Sequence, residues 1–170
     1  MAVAGKRGQI VALVIADAGP LIALAKVGRL GLLKALFGRV HLTPEVLAEL
    51  SLEGGGAEVR ALQVALHEGR LAPAASQATA EPHPFLDNGE ASCLTFAISH
   101  ARTLLIIDEK LGRREAKRMG IAITGTAGVL VAAKARGLVD AVVPVLQAMR
   151  AAGYFLGDKV IEDAREQARD

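Results

Sequence analysis

VALVIAD, residues 11–17, is a short apolar run that stops abruptly on Asp17, and LLIID, residues 104–108, repeats the pattern at Asp108. Runs this rich in valine, isoleucine and leucine, and too short for a buried helix, are typical of central strands in a parallel sheet covered on both faces. Each aspartate then lies at the carboxyl end of its strand, which is the edge of an open α/β sheet where ligands bind. The two runs therefore predict one acidic pocket, built from distant parts of the chain.

The rest of the chain predicts helices that alternate with short strands. Helical spacing of apolar residues occurs at 20–27, 30–37, 44–50, 58–67, 86–101, 109–119, 125–135, 141–152 and 158–169. Further strands are predicted at 40–42, near 71 and at 121–123, with an edge strand at Tyr154 and Phe155. Such alternation implies right-handed βαβ units. We therefore expect an α/β fold, a three-layer α/β/α sandwich with a mainly parallel sheet.

Length and composition limit the class of protein. The 170 residues match one ordinary domain, so we expect residues 1–170 to form a single domain, with 156–170 as a charged C-terminal tail helix. Hydrophobic residues make up 52%, which excludes a disordered chain, and aromatic residues only 3%, which argues against a base-stacking platform. Because the formal net charge is only +2, any basic surface must be local.

Cys93 is the only cysteine of the sequence, so a disulfide pair and a thiolate metal cluster within it are both excluded. We expect Cys93 to pack as a small apolar residue in a cytoplasmic protein. The scattered histidines lack metal-ligand spacing and are expected to be structural or exposed. No apolar run reaches the roughly 20 residues that span a bilayer, so no membrane partner is expected.

Each aspartate that ends an apolar run has an alternative role as a helix cap. Asp108 fits that role, because the segment after it has helical spacing. Asp17 fits it less well, because Pro20 looks like the first helical residue and places the cap nearer Ala18 or Gly19. At least one of the two aspartates therefore needs another explanation.

Other carboxylates are predicted near the same sheet edge. Glu49 lies near the end of the helix that begins at Pro44, beside its apolar stripe, where it could also be an ordinary solvated residue. Asp87 and Glu90 lie three residues apart at a helix start, a spacing that also forms a capping box. We favour Asp87 as the cap and Glu90 as the ligand. Carboxylates without histidine or cysteine suit Mg²⁺ or Mn²⁺ rather than Zn²⁺.

Four ordered motifs together resemble the PIN domain, over residues 10 to about 155. They are Asp17-Ala18-Gly19-Pro20-Leu21-Ile22, Thr43-Pro44-Glu45-Val46-Leu47-Ala48-Glu49-Leu50, Leu86-Asp87-Asn88-Gly89-Glu90, and Ile107-Asp108-Glu109 with Arg113 and Ala116. More narrowly, the chain looks like a branch described as predicted nucleic-acid-binding proteins, related to the VapC-like toxins.

This resemblance implies that Asp17, Glu49, Glu90 and Asp108 are catalytic residues that bind Mg²⁺ or Mn²⁺ for the hydrolysis of phosphodiester bonds. The protein is then a metal-dependent endoribonuclease, expected to be the toxin of a type II toxin–antitoxin module. Its partners would be an RNA substrate and an antitoxin protein that covers the acidic cleft.

Two positions depart from the pattern of the family. Many PIN domains have serine, threonine or asparagine where Gly19 stands, and aspartate is more frequent than glutamate at the position of Glu90. Thr124 and Thr126 follow the third apolar strand at the same predicted edge. These threonines, like Asp87, are candidates for contacts with a phosphate or a metal-bound water, and the threonines are equally well explained as helix caps.

A basic helix follows Asp108 directly, with Lys110, Arg113, Arg114, Lys117 and Arg118. It is either a solvated amphipathic face or, because it lies beside the acidic edge, a surface that contacts RNA phosphates. We predict nucleic-acid contacts for Arg113, Arg114 and Lys117, with Arg113 the first choice.

Two other functions stay open at this point. A non-catalytic PIN-like module that binds nucleic acid would fit the departures at Gly19 and Glu90. A phosphate-receiving regulatory domain would also use an acidic pocket, but Asp17 is not part of an adjacent acidic pair and no lysine ends a later strand.

The apolar content also predicts self-association. A mean hydropathy of +0.35 is high for a chain of this length, which has little interior in which to bury apolar residues. We therefore predict a two-fold homodimer, with the helices around residues 21–33 as the interface.

Overall fold

A computed structural model of the protein describes residues 13–50, 55–75 and 83–170. Strands and helices alternate along these ranges. In chain order they are β1 (Leu13–Ala16), α1 (Ala18–Lys26), α2 (Gly31–Phe37), β2 (Val40–Leu42), α3 (Pro44–Glu49), α4 (Ala57–His67), β3 (Leu71–Pro73), α5 (Asn88–Ser99), β4 (Thr103–Ile106), α6 (Lys110–Arg118), β5 (Ala122–Thr124), α7 (Thr126–Ala135), α8 (Val143–Ala151) and α9 (Asp158–Ala168). None of these helices has the length and apolar character to span a membrane.

The five strands form one all-parallel sheet in the order β3-β2-β1-β4-β5, flanked by helices. This confirms the predicted α/β class. The chain adds β2 and β3 on one side of β1, and then β4 and β5 on the other side. The boundary between β1 and β4 is therefore the point where the order of the strands reverses, and crevices for ligands form at such points.

The two acid-terminated runs form the centre of the sheet. Ala16 pairs with Ile106 at the carboxyl ends of β1 and β4, and every residue of β4 is buried. The N–H of Asp17 donates to the carbonyl of Ile106 at 3.0 Å, so Asp17 directly continues the pairing. Residues 11–12 of the predicted first strand lie outside the described ranges. The strands thus deliver Asp17 and Asp108 to one edge of the sheet.

The predicted edge strand at Tyr154 and Phe155 is wrong. Both residues lie in an irregular segment after α8, which ends where Gly153 adopts a φ of +86°. Phe155 is 92% exposed, whereas the hydroxyl of Tyr154 contacts Asp108. Aromatic residues favour strands mainly because they pack on the surface of a sheet. Tyr154 instead contacts Asp108 through its hydroxyl.

The charged helix α9 packs against α7 and α8, with Ile161 and Ala164 buried. After it, the side chain of Asp170 accepts hydrogen bonds from the backbone of Val142 and Val143, each at 2.6 Å, at the start of α8. The predicted tail helix therefore packs onto the body of the fold.

The apolar residues proposed for a dimer interface are mostly used inside the chain. Leu21, Leu24 and Leu33 are buried in the common core, where α1 packs against α4 and α7. Ile22 and Val27 are partly exposed. Burial within the chain explains why this segment is apolar on more than one face, and the homodimer stays a prediction.

Candidate metal centre

Asp17 occupies the N-cap position of α1, with extended backbone angles, but its side chain makes no cap hydrogen bond. The expectation that Ala18 or Gly19 is the cap is wrong, because the helix already begins at Ala18. Pro20 is then the third helical residue, where it is tolerated because the first N–H groups of a helix have no partner within it. The carboxylate of Asp17 is therefore available for another role.

Asp17 meets two carboxylates from other helices. One possible ligand oxygen each of Asp17, Glu49 and Asp87 lies within 4.8 Å of the other two. Glu49 is the last residue of α3 and Asp87 is the N-cap of α5, and these two helices pack together. Because Asp17 is buried while Glu49 and Asp87 are exposed, the cluster is open to solvent on one side.

Asp87 and Glu90 form the predicted capping box. The N–H of Glu90 donates to Oδ1 of Asp87 at 2.8 Å, and Oε2 of Glu90 accepts from the N–H of Asp87 at 3.2 Å. The cap assignment of Asp87 is confirmed. An aspartate that caps with one oxygen keeps a second oxygen for a ligand, so Asp87 can be both a cap and a ligand. Glu90 is 5% exposed and outside the group of three, so its role as a ligand stays a prediction.

The cluster is electrostatically unfavourable without a cation. Burial raises the pKa of Asp17 to about 7, and Asp87, Glu49 and Asp108 add to the rise, while the nearby Ala18 N–H opposes it without forming a cap hydrogen bond. Burial, followed by the charge of Asp87, also raises the pKa of Glu90 to about 7. Burial raises the pKa of Glu49 as well. Like charges held this close favour proton or metal uptake.

One buried oxygen of Asp17 supports a cation as the ligand of this cluster. Oδ1 of Asp17 is buried and has no hydrogen-bond partner among the described residues. A buried acceptor without a partner costs free energy, and a buried carboxylate oxygen costs more. Hard cations with oxygen ligands, Mg²⁺ and Mn²⁺ among them, would satisfy this atom, and Asp17, Glu49 and Asp87 together would hold such an ion.

Two glycines leave room for the carboxylates. A Cβ added at Gly89 would lie 2.5 Å from Oε1 of Glu49, which accepts the Gly89 N–H at 2.8 Å. A Cβ added at Gly125 would lie 2.6 Å from Oδ1 of Asp108. A side chain at either position would therefore force the neighbouring carboxylate to shift. These glycines line the site; Gly89 stands in the third of the four motifs, whereas Gly125 lies outside them.

Asp108 lies at the same edge and is held by three donors. Oδ1 accepts the N–H of Thr126 at 2.7 Å, while Oδ2 accepts the hydroxyls of Thr126 at 2.5 Å and Tyr154 at 2.6 Å. Explaining Thr124 or Thr126 as the helix cap is wrong, because Gly125 is the N-cap of α7 and makes no side-chain cap hydrogen bond. Thr126 instead orients Asp108. Tyr154 was missed by the sequence patterns, because it was assigned to a strand.

A cleft of about 390 Å³ adjoins Asp108. Arg113 lines it together with Thr124 and Gly125, and the far wall is formed by α9. The guanidinium of Arg113 donates to the carbonyl of Ile107 at 2.8 Å, which holds it at the carboxyl end of β4. The positively charged guanidinium of Arg113 therefore lies in the cleft, directly beside the acidic edge of the sheet.

Arg114 and Lys117 are exposed on α6, the basic helix. Arg114 lies 4.0 Å from Glu115, while Arg118 makes a closer ion pair with the same carboxylate at 2.9 Å. The helix thus presents cations to solvent next to the cleft. Whether Arg113, Arg114 and Lys117 bind nucleic acid stays a prediction.

Cys93 is fully buried in the core, as predicted, with Sγ 3.8 Å from the carbonyl of Ala16. Two of the described histidines have contacts within the fold: His41 Nδ1 lies 3.3 Å from the carbonyl of Val14, and His100 stacks on Phe96. None of the described histidines or Cys93 belongs to the acidic cluster.

Comparison with known proteins gives one match. A family model described as a PIN domain matches residues 13–170. No curated protein and no solved structure matches the chain.

Proposed function

Since this chain belongs to the PIN-domain family, we propose that it is a ribonuclease that depends on Mg²⁺ or Mn²⁺ and hydrolyses phosphodiester bonds. One observation carries the proposal. Three carboxylates converge within 4.8 Å at the point where the strand order reverses, and one buried oxygen among them has no partner. Such a cluster of carboxylates does not serve to stabilise the fold, because it destabilises the fold at neutral pH.

The proposed roles follow from the donors present. Asp17, Glu49 and Asp87 would hold the cation. When bound, such an ion supplies Lewis-acid stabilisation of the charge that develops on a phosphodiester, and it lowers the pKa of water. A carboxylate has about four acceptor positions, of which Asp108 uses three, so one is left for the ion or for a water molecule.

The substrate proposal rests on the position of the cations. Arg113 lies in the cleft beside Asp108, and a guanidinium matches the geometry of a phosphate. Arg114 and Lys117 extend the positive surface along α6. We place the RNA backbone along this face, with the scissile phosphate near the acidic cluster.

The biological role is proposed from the resemblance to VapC-like toxins. The exposure of Glu49 and Asp87 leaves the acidic cluster accessible to a basic segment of an antitoxin partner. A homodimer belongs to the same proposal. Exposed Phe85 and Ile98, at 75% and 61%, offer apolar contacts outside the core.

The test is an RNA cleavage assay on the purified chain. We expect cleavage with Mg²⁺ or Mn²⁺, none after chelation, and a loss of roughly a hundredfold or more in Asp17→Asn and Asp87→Asn. Asp140→Asn, an exposed position outside the cluster, is the matched control. Activity that survives both the chelator and Asp17→Asn would contradict the proposal.

The same preparations separate the two other functions. Binding of RNA and Mn²⁺ without any cleavage would favour the non-catalytic module. Incorporation of a base-labile phosphoryl group would favour the regulatory domain.

A further inference from the structure

We infer that Tyr154 is a positioning residue of the metal centre, whose hydroxyl ties Asp108 to the turn that carries Asp17. The inference rests on the proposed function, because it assigns a role toward the same cation. It concerns a residue that none of the four sequence motifs contains.

The backbone at Tyr154 is held in place by α8. Its N–H donates to the carbonyl of Met149 at 3.0 Å, which is one of the last carbonyls of the helix. From this anchored position the side chain crosses to the carboxyl edge of the sheet. Its hydroxyl donates to Oδ2 of Asp108 at 2.6 Å, across 46 positions of sequence. The contact is therefore the product of packing, not of local structure.

The hydroxyl donates rather than accepts. Burial raises the pKa of Tyr154, and the charge of Asp108 and the hydrogen bond to it raise this pKa further. The phenol therefore keeps its proton. With the N–H and hydroxyl of Thr126, it completes three donors on one carboxylate, which leaves Asp108 little freedom to rotate.

Gly19 explains why the phenol can reach this position. A Cβ added at Gly19 would lie 3.2 Å from the Tyr154 hydroxyl oxygen and 4.0 Å from Oδ2 of Asp17. The hydroxyl thus lies directly over the first turn of α1, two residues after Asp17. A larger residue at position 19 would crowd the phenol. Gly19 and Tyr154 form a matched pair that brings the hydroxyl onto Asp108 directly above the turn that follows Asp17.

A purely structural tyrosine would act through its ring, whereas a positioning residue acts through its hydroxyl. Tyr154→Phe keeps the ring and removes only the hydroxyl. Partners that orient the ligands of a metal typically change its affinity by 10- to 100-fold when they are removed. We therefore expect Mn²⁺ to bind about tenfold or more weakly to Tyr154→Phe.

The first measurement is a calorimetric titration of the full chain with Mn²⁺ alone. Thr103→Val is the matched control, because it also removes a buried hydroxyl, which donates to the carbonyl of His100 at 2.7 Å at the other end of β4. We expect unchanged Mn²⁺ affinity in that control. If the wild type binds no Mn²⁺, the proposed function fails and this inference with it. If the wild type binds Mn²⁺ and Tyr154→Phe binds it equally well, only this inference is overturned.

The second measurement uses the composition of the chain. Tyr154 is its only tyrosine, and it has no tryptophan, so near-ultraviolet absorbance above the weak phenylalanine bands reports on this one phenol. We expect Mg²⁺ to change the tyrosine spectrum of the wild type, and Asp17→Asn to remove that change. Calorimetric binding of the ion with no change in the spectrum would contradict the assigned position of Tyr154.

The third measurement is a rescue. In the Tyr154→Phe background, Gly19→Ser introduces a hydroxyl close to the place that the phenol oxygen has left, and we expect it to restore part of the lost Mn²⁺ affinity. In the wild type, the same Gly19→Ser change crowds the phenol and should lower affinity. Opposite effects of Gly19→Ser on Mn²⁺ affinity in the two backgrounds would support a matched pair of Gly19 and Tyr154. Equal effects in both backgrounds would overturn it.

Discussion

The substitution Asp17→Asn should make the stability of the metal-free protein clearly less dependent on pH. Asp17 has a pKa of about 7 in the folded state, against a reference value of 3.8 that we take for the unfolded chain. Between these values the folded state holds a proton that the unfolded state has lost. The free energy of unfolding therefore falls as the pH rises, and the loss is complete above about pH 7.

The magnitude follows from the same two values. Each unit of pKa difference corresponds to about 1.4 kcal/mol, so Asp17 should lower the free energy of unfolding by about 3 kcal/mol between pH 5 and pH 8. Asparagine has no proton to lose and should not contribute to this change. Its amide will itself lack partners, which lowers stability at every pH, so the comparison is between pH slopes and not between absolute stabilities.

The assay is urea unfolding in the presence of a chelator at several pH values, for the wild type, Asp17→Asn and the exposed control Asp140→Asn. We expect a steep decline with pH in the wild type and in the control, and a shallower one in Asp17→Asn. Residual decline should come from Glu90, which also titrates near pH 7. Saturating Mn²⁺ should raise the stability of the wild type most at high pH, because the ion binds the ionised carboxylates. Equal slopes for the wild type and Asp17→Asn would refute the reasoning.

Three further predictions concern the site and its surfaces. Gly89→Ala should weaken Mn²⁺ binding about tenfold, because its methyl group would displace the carboxylate of Glu49, while Gly31→Ala, which meets no atom within 4 Å, should leave calorimetric titrations unchanged. Arg113→Ala should weaken RNA binding and lower the salt dependence of binding by about one phosphate contact, measured by titration at several salt concentrations; an unchanged slope would exclude a phosphate contact. Light scattering should give the mass of a dimer at tens of micromolar protein, and a monomer mass would contradict self-association but not the nuclease.

The local sequence pattern was sufficient to predict the strand ends and the helix start that surround the site. The apolar runs before Asp17 and Asp108 predicted adjacent strand ends, because in a parallel sheet a buried run must be central and its end must lie at one edge. The capping box of Asp87 and Glu90 was predictable at a helix start, since capping depends on residues only three positions apart, and the structure has it. The preference for Mg²⁺ or Mn²⁺ follows from the chemistry of carboxylates alone.

Which side chains meet at the site depended on packing between distant segments of the chain. Periodicity shows which face of a helix is buried, but not which neighbour covers it, so the approach of Glu49 to Asp87 required α3 to pack on α5. The role of Tyr154 was missed for the same reason. Tyr154 and its aromatic neighbour suggested a strand, whereas the hydroxyl of Tyr154 reaches Asp108 from the segment after α8. The need for glycine at Gly89 arises from the space that another residue's carboxylate occupies. A sequence determines its local conformations through neighbours along the chain, whereas this site is made by neighbours in space.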